Sequence, residues 1–268
     1  MSDAIAPSAS ARPAGARRVF LGLTAAALRR TTKDRLLGPA WWLLDALILL
    51  GVYAVVFGIV LDAREGPEGR DYVLFLASAL IPWRLFALAT QLGASAFLRN
   101  SALLTSIPVS RHAVVLSELA SALVQAAAGF VVLAGFMAAS ARPVTAQLAW
   151  LPLPVLVMVA LAAGAAYALC PLMALFPDAA NAWAAVLRIG WFASPGVFSL
   201  ARLPAEVVPW YAAFNPFVGI LEGIRRPIHD GLPPLWGALG WSALWAAAVL
   251  AAGLWIFRRL AAAAVRML

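Results

Sequence analysis

The chain has 268 residues, 64% of them hydrophobic and 12% charged, with a mean hydropathy of +0.89 and a formal net charge of +8. A soluble domain carries about a quarter charged residues, so the composition excludes an ordinary soluble enzyme or binding module and points to an all-α polytopic membrane protein. The basic residues flank apolar runs rather than forming one exposed face, which reads as orientation and contact with anionic lipid and excludes a nucleic-acid partner.

Residues 1–16 are rich in Ala, Pro and Ser and read as a disordered N-terminus. A cleavable signal peptide is not expected, because about 40 residues precede the first apolar run and further runs follow. Residues 17–36 place Phe20, Leu23 and Ala27 at helical spacing, with Arg17, Arg18, Arg29, Arg30 and Lys33 mostly elsewhere. That pattern predicts an amphipathic interface helix; a plain basic flank is the other reading. Gly38-Pro39 then separates this helix from the first span, where proline fits a first helical turn.

Residues 46–61, 119–141, 143–177 and 231–257 contain no Asp, Glu, Lys or Arg. About 20 mainly apolar residues cross a hydrocarbon core of about 30 Å. The sequence predicts six transmembrane helices, at 41–61, 72–94, 113–138, 149–172, 180–200 and 236–257. The runs are continuous rather than alternating, which excludes a β-barrel. Arg12, Arg17, Arg18, Arg29, Arg30, Lys33 and Arg35 precede the first span, and Arg258, Arg259 and Arg266 follow the last. Basic flanks stay cytoplasmic, so both termini belong inside, with 258–268 as a cytoplasmic tail.

In span one, Trp42, Asp45, Leu49, Tyr53 and Phe57 step by three or four and form one helical stripe. Such a mixture of rings and polar groups suits a conduit for sugars. The competing reading is an interfacial aromatic belt with ordinary packing, and for Asp45 a carboxylate favoured near a helix N-terminus. In span five, Asn181, Arg188, Phe192 and Ser199 share a face. Arg188 lies roughly 13 Å into the span at the helical rise, where a charge faces water, protein or an ion-pair partner. Arg84 in span two raises the same question, and Glu118 is a conceivable partner for either arginine.

Between spans two and three, "FLRNSALLTSIPVSRH" (97–112) is too polar for lipid and predicts a short cytoplasmic amphipathic helix stopped by Pro108. Between spans five and six, "ARLPAEVVPWYAAFNPFVGILEGIRRPIHDGLPP" (201–234) is half apolar and repeatedly broken by proline. It predicts short re-entrant helices on the outer side, beside a protein or water-lined surface.

No phosphate-binding P-loop is present, since Lys33 is the only lysine and follows Thr32. There is no G-x-S-x-G elbow, and His112 and His229 fall on opposite sides of the membrane. Cys170 is the only cysteine, which excludes a disulfide frame and a thiolate metal site. The acids Asp62, Glu65, Glu68 and Asp71 read as a solvated outer loop.

These pieces in this order resemble the membrane (permease) subunit of bacterial type-2 ABC exporters for cell-surface polysaccharide, the O-antigen, capsule and teichoic-acid export family. The resemblance covers about residues 17–260 and rests on "LGPAWW" (37–42), "LFLASALIPW" (74–83), "SPGVFSLARLP" (194–204) and "NPFVGILEGIR" (215–225). It implies a homodimer of permeases in the bacterial inner membrane, bound to two ABC ATPase subunits that carry ATP and Mg, with no cofactor in this chain. It implies that spans one and five line the conduit for a lipid-linked polysaccharide. A coupling helix at 98–107 would meet the ATPase, with Asn100, Leu103, Leu104, Ile107, Pro108 and Arg111 at or beside the contact. Gate helices at 203–229 would include Pro204, Trp210, Asn215, Pro216, Glu222 and Arg225. The chain departs from the family pattern at Thr105 and Ser106, often basic there, at Pro177-Asp178, often Arg-Asp, and at Arg84, in a usually apolar place. A type-2 exporter of a drug or small lipid is the alternative within the class. A membrane-embedded glycan or lipid transferase is the alternative outside it.

Overall fold

The computed structural model describes residues 13–33, 36–56, 72–140 and 144–268, and every regular element among them is helical. Helix α1 (Pro13–Thr32) starts inside the stretch expected to be disordered and ends short of the expected boundary at 36. Its Ala27 is fully buried and its Arg17, Arg18 and Arg29 are exposed. Gly38 then takes φ 48°, a left-handed conformation that suits a residue without Cβ. The chain turns there into α2 (Ala40–Val55). Phe57 and the acidic loop 62–71 lie outside the described residues.

Helix α3 (Tyr72–Ala94) is the centre of the bundle and is buried on nearly every side. After it come two short turns of helix, α4 (Ala96–Arg99) and α5 (Ser101–Ser106), broken at Asn100 where one helix had been expected over 98–107. The long helix α6 (Arg111–Ala139) is capped by Ser110, whose hydroxyl accepts from the Ala113 amide. Helix α7 (Pro152–Leu175) follows a 3-10 turn at Ala146–Trp150. Helix α3 packs on both α6 and α7, and α1 lies along α6.

Helix α8 (Asp178–Phe192) has 15 residues, about 22 Å at the helical rise, and ends well before the expected limit at 200. The buried turn Ser194-Pro195-Gly196 ends it, with the Ser194 hydroxyl donating back to the Gly190 carbonyl at 2.7 Å. Two short helices follow, α9 (Val208–Phe214) and α10 (Phe217–Arg225), the second running into a π-helical turn at Arg226–Asp230. Helix α11 (Trp236–Arg266) closes the fold.

The tightest joint is the crossing of α7 and α11. A Cβ on Gly253 would overlap the carbonyl oxygen of Gly164, and one on Gly164 would strike the backbone at Leu250. In a bilayer, where lipid tails compete with apolar side chains, small residues of this kind let two backbones approach and gain dispersion energy. Gly219 does the same for α10 against the Ala238 carbonyl of α11.

Four described helical segments are long and apolar enough to cross a membrane: Tyr72–Ala94, Arg111–Ala139, Ala146–Leu175 and Trp236–Arg266. The described part of α2 is a shorter apolar helix of 16 residues. Helix α11, with 31 residues, does not stop where the tail had been expected. The segment "RRLAAAAVR" is made of strong helix formers, and Ala261 and Ala264, three residues apart, are both buried. The last turns are therefore part of the packed body.

Candidate functional site

Aromatic contacts set the positions of α2 and α8. The Tyr53 ring meets Trp191 edge to face with centroids 5.8 Å apart, and Trp191 lies 5.7 Å from Trp83 of α3. Lower on α8, the Trp183 indole donates to the Thr90 hydroxyl of α3 at 3.1 Å. Tyr53 and Trp191 each lie thirteen residues into their helices, so α2 and α8 meet about 20 Å along from their starts. This anchoring leaves Asn181, Arg188 and Phe192 on an exposed face of α8. Tyr53, Arg84, Asn181, Arg188, Trp191 and Phe192 together line an open cleft of about 630 Å³.

The expected stripe on α2 is divided. Trp42 and Asp45 line a separate cavity of about 100 Å³ with Ile81, Arg84, Gln125 and Gly129. The lower turns of α2 lie against α6 as well as α3, so these two residues are drawn away from α8. Asp45 Oδ2 is 3.9 Å from the Arg84 guanidinium, a loose and partly exposed pair. Ser199 does not share the α8 face either. It lies past the turn that ends α8, and its hydroxyl accepts from the Ala201 amide at 3.3 Å. Of the expected conduit set, Tyr53, Asn181, Arg188 and Phe192 come together.

A second cluster ties α1, the α4–α5 break and α6. Glu118 is fully buried. Its Oε1 accepts from Arg30 Nη2 at 2.6 Å and from Asn100 Nδ2 at 3.1 Å, and its Oε2 lies 3.6 Å from Arg99 Nε. Arg30 also donates to the Arg99 carbonyl at 2.9 Å and to Asn100 Oδ1 at 3.2 Å. The pairing of Glu118 with Arg84 or Arg188 is thereby corrected. Glu118 lies two turns into α6, level with α1 and the α4–α5 break, and the other two arginines are deeper. From the α5 segment, Leu103 and Leu104 are half-buried and Thr105, Ser106, Ile107 and Pro108 are exposed, as is Arg111 at the start of α6.

The outer hairpin holds a third cluster. The Tyr211 hydroxyl and the Asn215 amide both donate to the Ala193 carbonyl, at 2.6 and 2.8 Å. Asn215 Oδ1 accepts from the Phe217 amide at 3.0 Å, and Pro216 opens α10. Arg225, 3% exposed, donates to Glu222 at 2.6 Å and to the carbonyls of Pro195 and Gly196 at 2.7 and 3.2 Å, and stacks 3.8 Å over the Phe75 ring. Trp210 and Phe214 are exposed and stacked on one another with centroids 6.5 Å apart, and Pro204 lies exposed in the turn before them.

The family model described as ABC-2 type transporter matches residues 18–228, well over half of the chain. The chain belongs to the ABC-2 type transporter family. Comparison with curated proteins returned no match. An ABC-2 permease is the multi-pass transmembrane subunit of an ABC exporter and works with an ATPase subunit. The missing P-loop agrees with that division of labour.

The matched region contains all three clusters of this permease. Sequence reasoning missed the anchors Trp183, Trp191 and Thr90, because their apolar or neutral side chains look like any other span residue. It weighed Glu118 but with the wrong partners. A signal did exist, since Glu118 is the one acid between Asp71 and Asp178.

Proposed function

We propose that this permease forms a homodimer in the bacterial inner membrane, with both termini cytoplasmic. It would export a lipid-linked or lipid-anchored polysaccharide through a passage walled by α2 and α8. The observation that carries the reading is the cleft in which Tyr53, Asn181 and Arg188 converge. An arginine exposed in the middle of an apolar helix costs at least ~3 kcal/mol against hydrocarbon, so Arg188 needs water or a second protomer. Rings beside amide and guanidinium donors suit a glycan, whose pyranose faces stack and whose hydroxyls need partners.

In this reading α2 and the short α8 cross the bilayer along with the four long segments, which makes six crossings, and the α9–α10 hairpin enters it as a gate at the outer mouth. Trp210, Asn215 and Pro216 face that mouth, and Glu222 and Arg225 hold the hairpin from behind. The exposed edge of α5 (Thr105, Ser106 and Ile107) meets the ATPase, with Leu103 and Leu104 packing it to the body. Two ATPase subunits bind ATP and Mg and drive processive extrusion. Trp42 and Asp45 border the cytoplasmic end of α2.

The test is ATPase stimulation of the complete transporter in proteoliposomes. Lipid-linked glycan is expected to raise turnover and hydrophobic drugs to leave it unchanged. The reverse result would assign the cleft to small apolar cargo.

A further inference from the structure

At the end of the bundle where α6 begins and α11 finishes, a cleft of about 610 Å³ lies between the α5 segment, the first turn of α6 and the last turns of α11. Its walls are apolar at Leu104, Pro108, Phe257, Ala261 and Val265, and its rim carries Arg111, His112 and Arg258. No acidic residue lines it. Among the described residues neither Arg111 nor Arg258 makes a hydrogen bond or ion pair, although both are exposed. The His112 ring is packed 4.8 Å from Phe257 and 5.6 Å from Tyr167, so it helps shape the wall.

Depth decides what such a cleft can meet. From Trp236 to Phe257 helix α11 rises about 32 Å, close to the hydrocarbon thickness of about 30 Å. Phe257 therefore sits at the hydrocarbon boundary, with Arg258 and Arg111 at the level of the lipid head groups. A soluble anion needs the arginines but no apolar wall. An acyl chain needs the wall but no arginines. A phospholipid uses both.

We propose that this cleft is a binding site for an anionic phospholipid. Arg111 and Arg258 hold its phosphate, and one acyl chain lies on Phe257, Ala261 and Val265. Guanidinium forks match phosphate oxygens in geometry and charge, and basic pockets between transmembrane helices at the cytoplasmic side are sites of this kind. Leu104 and Pro108 belong to the same walls, so the bound lipid braces the segment proposed above to meet the ATPase. Lipid binding does not depend on that docking role; only the effect on turnover does.

The experiment uses the permease with its ATPase subunits in nanodiscs of phosphatidylcholine with or without phosphatidylglycerol, with retained lipid counted by native mass spectrometry and ATPase turnover read in parallel. Wild type is expected to retain phosphatidylglycerol and to turn over faster with it. The double variant Arg111→Gln/Arg258→Gln is expected to hold it about tenfold more weakly for each arginine lost. Val265→Trp, which obstructs the apolar wall where the acyl chain would lie and keeps both arginines, is expected to weaken lipid retention as well and serves if the double variant does not assemble. Equal phosphatidylglycerol retention in wild type and an assembled variant overturns the proposal. So does displacement of the lipid by excess inorganic phosphate, which would make the site one for a soluble anion. Loss of the ATPase subunit with lipid retention unchanged also overturns it, and gives the cleft to the ATPase. If retention falls in the variants but turnover does not, the lipid site stands and the docking role of α5 fails.

Discussion

Arg30 Nη2 on α1 lies 2.6 Å from Glu118 Oε1 on α6, eighty-eight residues further along the chain. The carboxylate is buried and the arginine side chain 35% exposed, so α1 is held to α6 by a charge-assisted bond. Asn100 joins the same oxygen from the break between α4 and α5. Any displacement of α5 by an ATPase is therefore felt by α1 and α6 together.

Replacing Arg30 by Ala leaves Glu118 buried with one fewer donor, a loss of about 1–3 kcal/mol for a group of this kind. The expected outcome is a lower melting temperature for the purified complex, together with ATP hydrolysis that no longer tracks transport. Glu118→Gln, which keeps the shape and removes the charge, should show the same uncoupling with less unfolding. A double-mutant cycle on Arg30 and Glu118 measures the link, and strict additivity would show the pair to be independent.

The α7–α11 crossing predicts a second result. Gly164→Leu or Gly253→Leu must force the two backbones apart, since a Cβ at either position already overlaps main-chain atoms of the other helix. Expression of folded protein, read by fluorescence-detected size exclusion, should collapse for both. Gly22→Leu, where nothing lies within 4 Å of the added atom, should not affect it.

The outer hairpin depends on Arg225. Its removal strands the Glu222 carboxylate and two backbone carbonyls in a buried place, and breaking such a pair costs about 3–5 kcal/mol. Arg225→Met should make the 193–230 region sensitive to added protease. Arg225→Lys should not rescue it, because one ammonium cannot reach Glu222, both carbonyls and the Phe75 face with fork geometry.

How much of this was legible in the residues follows from the kind of signal each element carries. Long uncharged runs announce a helix whatever surrounds them, and α3, α6, α7 and α11 lie within a few residues of the expected runs at one end or both. The ends of elements depended on contacts. The expected fifth span was drawn to 200 because its residues stay apolar, yet Pro195 and the bonds that Ser194, Tyr211 and Asn215 make stop α8 at Phe192. The residues after Phe257 were read as a tail because of their arginines, and α11 continues through them with Ala261 and Ala264 packed inward. The site shows the same division. Asn181, Arg188 and Phe192 share a face by helical phase alone, and the structure brings Tyr53 of α2 to the same cleft. Trp42 and Asp45 share the phase of Tyr53 on α2 but are claimed by α6, a neighbour that phase cannot reveal.

The cleft residues lead to a transport prediction. Arg188→Ala, and Tyr53→Phe, which keeps the ring contact with Trp191 and removes the hydroxyl, should each lower surface glycan in cells while leaving the amount of assembled transporter unchanged. Wild-type glycan in both variants would remove these side chains from the pathway.

The most direct measurement is thiol accessibility in the assembled, membrane-embedded transporter. Cys170, the only native cysteine, is buried, so Tyr53→Cys and Arg188→Cys each add one reporter on a silent background. A membrane-impermeant maleimide should label both when substrate is absent and be excluded when lipid-linked glycan is bound. Failure to label either position, with Leu47→Cys at an exposed position of α2 equally unreactive, would place Tyr53 and Arg188 away from water and contradict a passage between α2 and α8.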